Sequence, residues 1–250
     1  MLGLIKEEGK NMNSEIISTE HLCLRHYKEE KDLSAMHRLL SDAAVNTFLP
    51  WFSLRTAEET AKFCRERFLE PYARGEIYHY VICEKDKDKE EPIGYLHIDG
   101  GESHDLGYGL AKEYWNRGYM SEAAAAAVER ARQDGLPYLT ATHDVNNPRS
   151  GSVMRRIGMK YVYSYEELWM PKRFPAIFRM YQLNLDGNAD RVYWKYWDES
   201  AVHFVELMDK NVENKFGKSF RKRGSCIEKG SAVKSKPAMK KSEFLRRLGS

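Results

Sequence analysis

The stretch from residue 105 to residue 158 restricts the fold more than any other part of the chain. A strand pattern, Asp105 to Ala111, runs through a short turn with a glycine at 118 into Met120 to Asp134, which holds five alanines in a row from Ala123 to Ala127. Alanine is the strongest helix former, so this segment is predicted to be helical, and Gly135 and Pro137 stop it. A second strand, Tyr138 to Asp144, and a second helix, Arg149 to Ile157 ended by Gly158, follow at once. Helices alternating with strands at this spacing bury their apolar faces only by layering on a sheet, which argues for an α/β fold.

The flanking sequence extends that sheet. Leu22 and Leu24 share one face of a strand over His21 to Tyr27. Leu33, Met36, Leu39 and Leu40 give a helix from about Asp32, and Thr56-Ala57-Glu58-Glu59 has the form of a capping box opening a helix to Tyr72. Ile77 to Cys83 and Pro92 to Ile98 read as a hairpin across the charged turn Lys85 to Glu91. Two more strands are expected near 160–168 and 176–185. The aromatic residues Tyr193, Trp194, Tyr196, Trp197 and Phe204 mark a short helical appendage, packed on the main body, between Asp190 and Lys210.

Composition removes several function classes. No run approaches the roughly 18 apolar residues of a membrane-spanning helix, and Met1 to Glu8 breaks into charge too early for a secretory signal. Cys23, Cys64, Cys83 and Cys226 show no metal-ligand spacing and no disulfide framework, so a cytoplasmic, metal-free protein is expected. The net charge of +3 hides an asymmetry: Lys218 to Ser250 carries eleven Lys/Arg against two Asp/Glu, which leaves −6 for residues 1–217. An acidic body with a basic tail is not a general nucleic-acid binder. The tail supports at most weak electrostatic contact with nucleic acid, and the body favours cationic amines.

The chemistry-bearing segment is Gly107-Tyr108-Gly109-Leu110-Ala111-Lys112-Glu113-Tyr114-Trp115-Asn116-Arg117-Gly118-Tyr119-Met120-Ser121-Glu122-Ala123. A strand, a glycine turn and a helix start expose unpaired amides and the positive end of a helix dipole, which suits a phosphate or pyrophosphate. Gly118 permits close backbone approach, Arg117 adds charge and Ser121 a hydroxyl. On these residues alone the reading is an anion site at a helix start.

Tyr114 to Ala123 resembles the acetyl-CoA-binding motif of the Gcn5-related N-acetyltransferase (GNAT) superfamily, in its branch of ribosomal-protein N-terminal acetyltransferases. Thr19-Glu20 followed by His21 to Tyr27 resembles that branch's opening strand. Asn147-Pro148-Arg149-Ser150, with Val153-Met154 and Gly158-Met159, resembles its segment after the fifth strand. The resemblance covers about residues 18 to 185. It implies a mixed, mostly antiparallel twisted sheet of about six to seven strands flanked by helices. Two central parallel strands, Asp105 to Ala111 and Tyr138 to Asp144, splay around the pantetheine arm, with a β-bulge near Gly109-Leu110. It divides the chain into a flexible extension (1–17), an acetyltransferase domain (18–186), the aromatic-rich helical appendage (187–217) and a basic, disordered tail (218–250).

The resemblance implies acetyl-CoA as cosubstrate, held by Leu110, Trp115, Asn116, Arg117, Gly118, Tyr119, Met120, Ser121 and Asn147. Ser150 is the candidate for protonating the leaving sulfur, although a serine there also suits a helix N-cap. Glu167 is the candidate base, with Glu166 nearly as eligible and His97, Asp99, Tyr108, His143 and Asp144 as competitors. Arg155 and Arg156 either meet the 3′-phosphate or lie on a solvated face. The acceptor is a primary amine, a small molecule or a peptide N-terminus, approached by loops Phe48 to Thr56 and Leu168 to Ala176. A homodimer is left open, and a non-catalytic acyl-CoA-binding or regulatory module is the alternative function.

Overall fold

A computed structural model describes residues 16–85 and 91–206 of the chain. Residues 1–15, 86–90 and 207–250 lie outside the described residues. With them lie most of the expected N-terminal extension, the body of the charged turn, the end of the appendage and the whole basic tail.

Two antiparallel sheets form the body. The first runs β1 (Ile17–Ser18), β2 (Leu22–Arg25), β3 (His79–Glu84), β4 (Pro92–Ile98), β5 (Leu106–Leu110) in chain order. The second is ordered β6 (Tyr138–Asp144), β8 (Phe174–Asn184), β7 (Lys160–Trp169), β9 (His203–Phe204). A single parallel bridge, Asp105 to Thr140, joins them. Beyond it β5 and β6 part, so the splayed pair is present. The seven longer strands meet the expected count, and β1 and β9 add two short edge strands.

The expected bulge at Gly109-Leu110 is not there. Register between β4 and β5 is one-to-one from Gly94–Leu110 to Ile98–Leu106, and the irregularities fall at Ile82/Cys83 and Tyr161/Tyr163. No bulge is needed to free the strand edge. The flanking bonds Asp99 N–H to Asp105 O (3.0 Å) and Ala111 N–H to Ile93 O (2.8 Å) place residues 105, 107, 109 and 111 in the ladder with β4. Alternation then turns the backbone groups of Tyr108 and Leu110 toward the gap that β6 has left.

Helices cover both faces of the first sheet. One face receives α1 (Glu29–Ser41) and α3 (Ala57–Cys64), with the four-residue α2 (Ala43–Asn46) between them. The capping box of α3 is formed: Thr56 accepts from the Glu59 amide and Glu59 from the Thr56 amide. A π-turn (Arg65–Leu69) and α4 (Glu70–Ala73) continue it where one long helix is expected from the sequence. Tyr27, Met36, Leu40, Phe68, Val81 and Tyr95 pack in this core. On the opposite face lies α5 (Tyr119–Gln133), and α6 (Pro148–Arg156) packs beside it on β6 of the second sheet. Ala123, Ala124, Ala127 and Ala131 of α5 are fully buried, so the alanines that favour the helix also let it approach the sheet closely. No helix among the described residues is long and apolar enough to cross a membrane.

The aromatic appendage is only partly helical. It contributes α7 (Lys195–Glu199) and then β9, which pairs with the outer edge of β7. Strand pairing prevails there because β7 otherwise presents an unpaired edge. Trp194 stacks on Tyr163 at 5.7 Å and Tyr196 on Tyr165 at 5.3 Å, so the appendage roofs one face of the second sheet.

One buried ion pair ties α1 to the first sheet. Arg25 donates through both terminal nitrogens to Asp32 at 2.7 Å, and Asp32 also accepts from the Lys28 amide at 2.8 Å. Side-chain exposure is 4% for Arg25 and 0% for Asp32. Removing one partner strands a charge in the core. Asp32→Ala is expected to cost about 3–5 kcal/mol in urea unfolding, whereas a loss below about 1 kcal/mol would class the pair with dispensable surface bridges.

Candidate active site

The turn before α5 is shaped for an anion. Gly118 occupies the left-handed region at φ 84°, preceded by Asn116 at φ 63°. A β-carbon on Gly118 would meet nothing within 4 Å, so the turn faces open space. No side chain caps α5, and the first helical bond runs from the Glu122 amide to Gly118 O (3.0 Å). The amides of Tyr119, Met120 and Ser121 therefore have no acceptor within the helix. The Met120 side chain is buried (7% exposed), which leaves its amide alone at the turn. Trp115 fixes the approach by donating its indole N–H to Leu110 O at 2.7 Å. Arg117 lies over Tyr114 at 5.3 Å and Arg149 over Trp115 at 5.2 Å, which holds two cations beside the turn.

The splay opens into a cavity of about 210 Å3. On its α6 side, the Tyr108 hydroxyl lies 3.0 Å from both Ser150 O and Ser150 Oγ. Asn147, not Ser150, is the N-cap of α6, its Oδ1 accepting the Ser150 amide at 3.4 Å. The Ser150 hydroxyl is thereby available to Tyr108. Burial raises the Tyr108 pKa, so the phenol keeps its proton at neutral pH. His143 also lines the cavity, with Nδ1 2.8 Å from Asp144 O. Its ring packs so closely on Gly151 that a β-carbon there would overlap it, and burial lowers its pKa, leaving it neutral.

The opposite wall holds Asp105, His97 and Arg67. Burial, reinforced by the charge of Asp99, pushes the Asp105 carboxyl up to about 7, against the Thr140 hydroxyl 3.4 Å away. His97 is pushed down to about 3 by burial and the neighbouring His79, so it is uncharged.

Of the residues anticipated from sequence, Leu110 and Trp115 to Ser121 converge on the turn, and Asn147 and Ser150 on the cavity. His97, Tyr108, His143 and Asp144 also line the cavity, as do Phe48 and Trp51 from one expected acceptor loop and Trp169 from the other. Glu167 is exposed on β7, and neither it nor Glu166 lines the cavity. Arg155 bonds to the Tyr181 hydroxyl at 3.2 Å. Asp105 and Arg67 are functional candidates that sequence reasoning missed. Asp105 was visible only as the first residue of a strand, and nothing in its spacing marks the bridge that buries it.

The model of the acetyltransferase (GNAT) domain matches residues 21–160. The chain belongs to the GNAT acetyltransferase family. It is similar to an uncharacterized N-acetyltransferase of Bacillus subtilis (strain 168), YnaD, with 28% identity over 145 residues, 58% of this chain and 82% of the relative. Among solved structures it resembles RimL, a ribosomal L7/L12 alpha-N-protein acetyltransferase in complex with coenzyme A, at TM-score 0.60 and 23% identity over 70% of this chain and all of that one. It also resembles a Salmonella typhimurium acetyltransferase that modifies the N-terminal serine of ribosomal protein L7/L12, at TM-score 0.58 and 23% identity over 68% and 99% of the two chains.

This GNAT enzyme uses acetyl-CoA. The open glycine turn, the uncapped α5 amides and the free edge of β5 fit a pyrophosphate and an amide-bearing arm. Among the described residues, no cluster of three or more His, Cys, Asp or Glu side chains is placed to hold a metal. Gly118→Trp fills the turn and is expected to weaken acetyl-CoA binding at least about tenfold in calorimetry, through lost helix-terminus contacts. Unchanged affinity in a folded variant would move the pyrophosphate elsewhere.

Proposed function

We propose that this acetyltransferase carries the acetyl group of acetyl-CoA to the α-amine of a peptide or protein. In this reading Asp105 takes the amine's proton, and Tyr108, backed by Ser150, supplies one to the leaving sulfur. The observation that carries it is that an uncharged phenol and a carboxyl that titrates near neutrality line one cleft. The likeness to alpha-N-protein acetyltransferases supports a peptide acceptor. The activity is assigned to residues 18–186, with 187–217 and 218–250 as additions, and to the cytoplasm.

Each step balances within the cleft. The amine nitrogen attacks the thioester carbonyl carbon, the carbon–sulfur bond breaks, Asp105 gains the nitrogen's proton and Tyr108 gives one to the thiolate. The Leu110 amide on the free edge of β5 is a donor for a carbonyl oxygen of the bound thioester. Trp115, Asn116, Arg117, Gly118, Tyr119, Met120 and Ser121 hold the pyrophosphate end. Asn147 acts indirectly, by capping the helix that carries Ser150. Asp105 is favoured over Glu167 as the base because it lines the cleft and is held near neutrality.

The sign of the pH dependence follows from the base. Asp105 works only when deprotonated, and burial raises its pKa, so kcat/KM should rise with pH through a limb near 7. Asp105→Asn should lower kcat/KM by about 10²–10⁴-fold and abolish that limb, while Glu167→Gln stays within about threefold. Steady-state kinetics on a short peptide with free-thiol detection reads both. Full activity in Asp105→Asn with an unmoved profile sinks the assignment. Acetyl-CoA binding without turnover of any amine would favour a non-catalytic module.

Tyr108→Phe should lower kcat with little change in acetyl-CoA affinity, because the hydroxyl is needed when the thiolate leaves rather than when the thioester binds. Equal losses in binding and turnover would instead make the Tyr108–Ser150 pair structural.

A further inference from the structure

We infer that the acceptor cleft selects a peptide amine followed closely by a carboxylate side chain, and that Arg67 and the Tyr95 hydroxyl receive that carboxylate. This rests on the peptide-acceptor reading above and names the acceptor class.

Arg67 lies in the π-turn and lines the cleft, its guanidinium 5.0 Å from the Trp51 ring and 5.6 Å from the Phe63 ring. It forms no ion pair with a carboxylate among the described residues. Two aromatic faces steer it without neutralising it, which leaves its donors for an incoming anion. Lining the same cleft, Tyr95 is only 4% exposed, yet its hydroxyl has no hydrogen-bond partner among the described residues. The charge that reaches this phenol is that of Arg67. A buried hydroxyl and a guanidinium without a carboxylate partner among the described residues, lining one cleft, make a two-donor site for an acceptor oxygen.

Strand register relates this site to the proposed base. Tyr95 lies opposite Gly109 and His97 opposite Gly107, so their rings share the face of β5 that also carries Asp105. Both rings lie over the glycines, where a β-carbon would overlap them. Any larger residue at 107 or 109 would expel the rings from the cleft. Asp105 and Gly109 are four residues apart on one strand, about 13 Å between α-carbons at 3.3 Å per residue. Arg67 and Tyr95 side chains reach inward from one end, so an amine near Asp105 and a carboxylate one or two residues along an extended peptide span the interval. His97, between them, is uncharged and adds no second cation. The body of the protein is acidic overall, so without Arg67 such an acceptor would meet net repulsion.

The test compares kcat/KM for three amidated tripeptides, Ser-Glu-Ala, Ser-Ala-Ala and Ser-Lys-Ala, on the full chain with saturating acetyl-CoA. The wild type should prefer the acidic peptide over the neutral one by about tenfold, the worth of one charge-assisted pair. Arg67→Gln should bring that ratio close to one, Arg67→Glu should invert it toward the lysine peptide, and Tyr95→Phe should reduce it about threefold. Arg67 is exposed, so its variants are expected to fold. Turnover of all three peptides at equal rates, or a preference that survives in Arg67→Gln, overturns this inference alone. Binding of acetyl-CoA with turnover of none overturns the peptide-acceptor reading and this inference with it.

Discussion

The structure turns on two parallel strands that meet once and then separate. Thr140 N–H reaches His104 O at 3.3 Å, Asp105 and Thr140 form the bridge, and from there β5 and β6 diverge. An unpaired strand edge inside a protein costs free energy unless something satisfies it. Here the edge carrying Tyr108 and Leu110 is left toward a cleft, and the carbonyl of Leu110 is taken by Trp115. α6 packs on β6 and on α5 at one side of the gap, and Trp51 lines the cleft.

The same divergence sets the electrostatics. Asp105 stands where the two sheets still touch, and desolvation there, reinforced by the charge of Asp99, raises its carboxyl to about 7. The glycines at 107 and 109 leave that wall bare, and the rings of His97 and Tyr95 occupy the space. Desolvation keeps His97 and His143 neutral and Tyr108 protonated. One cleft is thus lined by a carboxyl raised toward neutrality, a protonated phenol and a guanidinium.

The segment beyond the family match has a structural part in this arrangement. Residues 193–206 stack on Tyr163 and Tyr165, and Glu206 accepts from Arg179 and from Ser164, the latter at 2.6 Å. An element outside the matched residues therefore braces the second sheet.

Local chemistry made much of this legible in the chain. The alanine run and Gly135 delimit α5, the Thr56 box opens α3, and the turn from Trp115 to Ser121 can be read because helix-end chemistry is a property of consecutive residues. Trp51 and Trp169, which line the cleft, stand out in the chain as aromatic residues in two loop segments. Asp105, Arg67 and the orphaned Tyr95 hydroxyl were not. Their roles come from register across β4 and β5, from a π-turn that re-aims a helix, and from burial at a bridge between strands 35 residues apart. The sequence by itself determined the helices, the strands and the anion turn, since these depend on neighbours along the chain. Tertiary structure alone decided which carboxyl is desolvated, which cation has no carboxylate partner among the described residues and which strand edge stays free, because desolvation and pairing depend on neighbours in space.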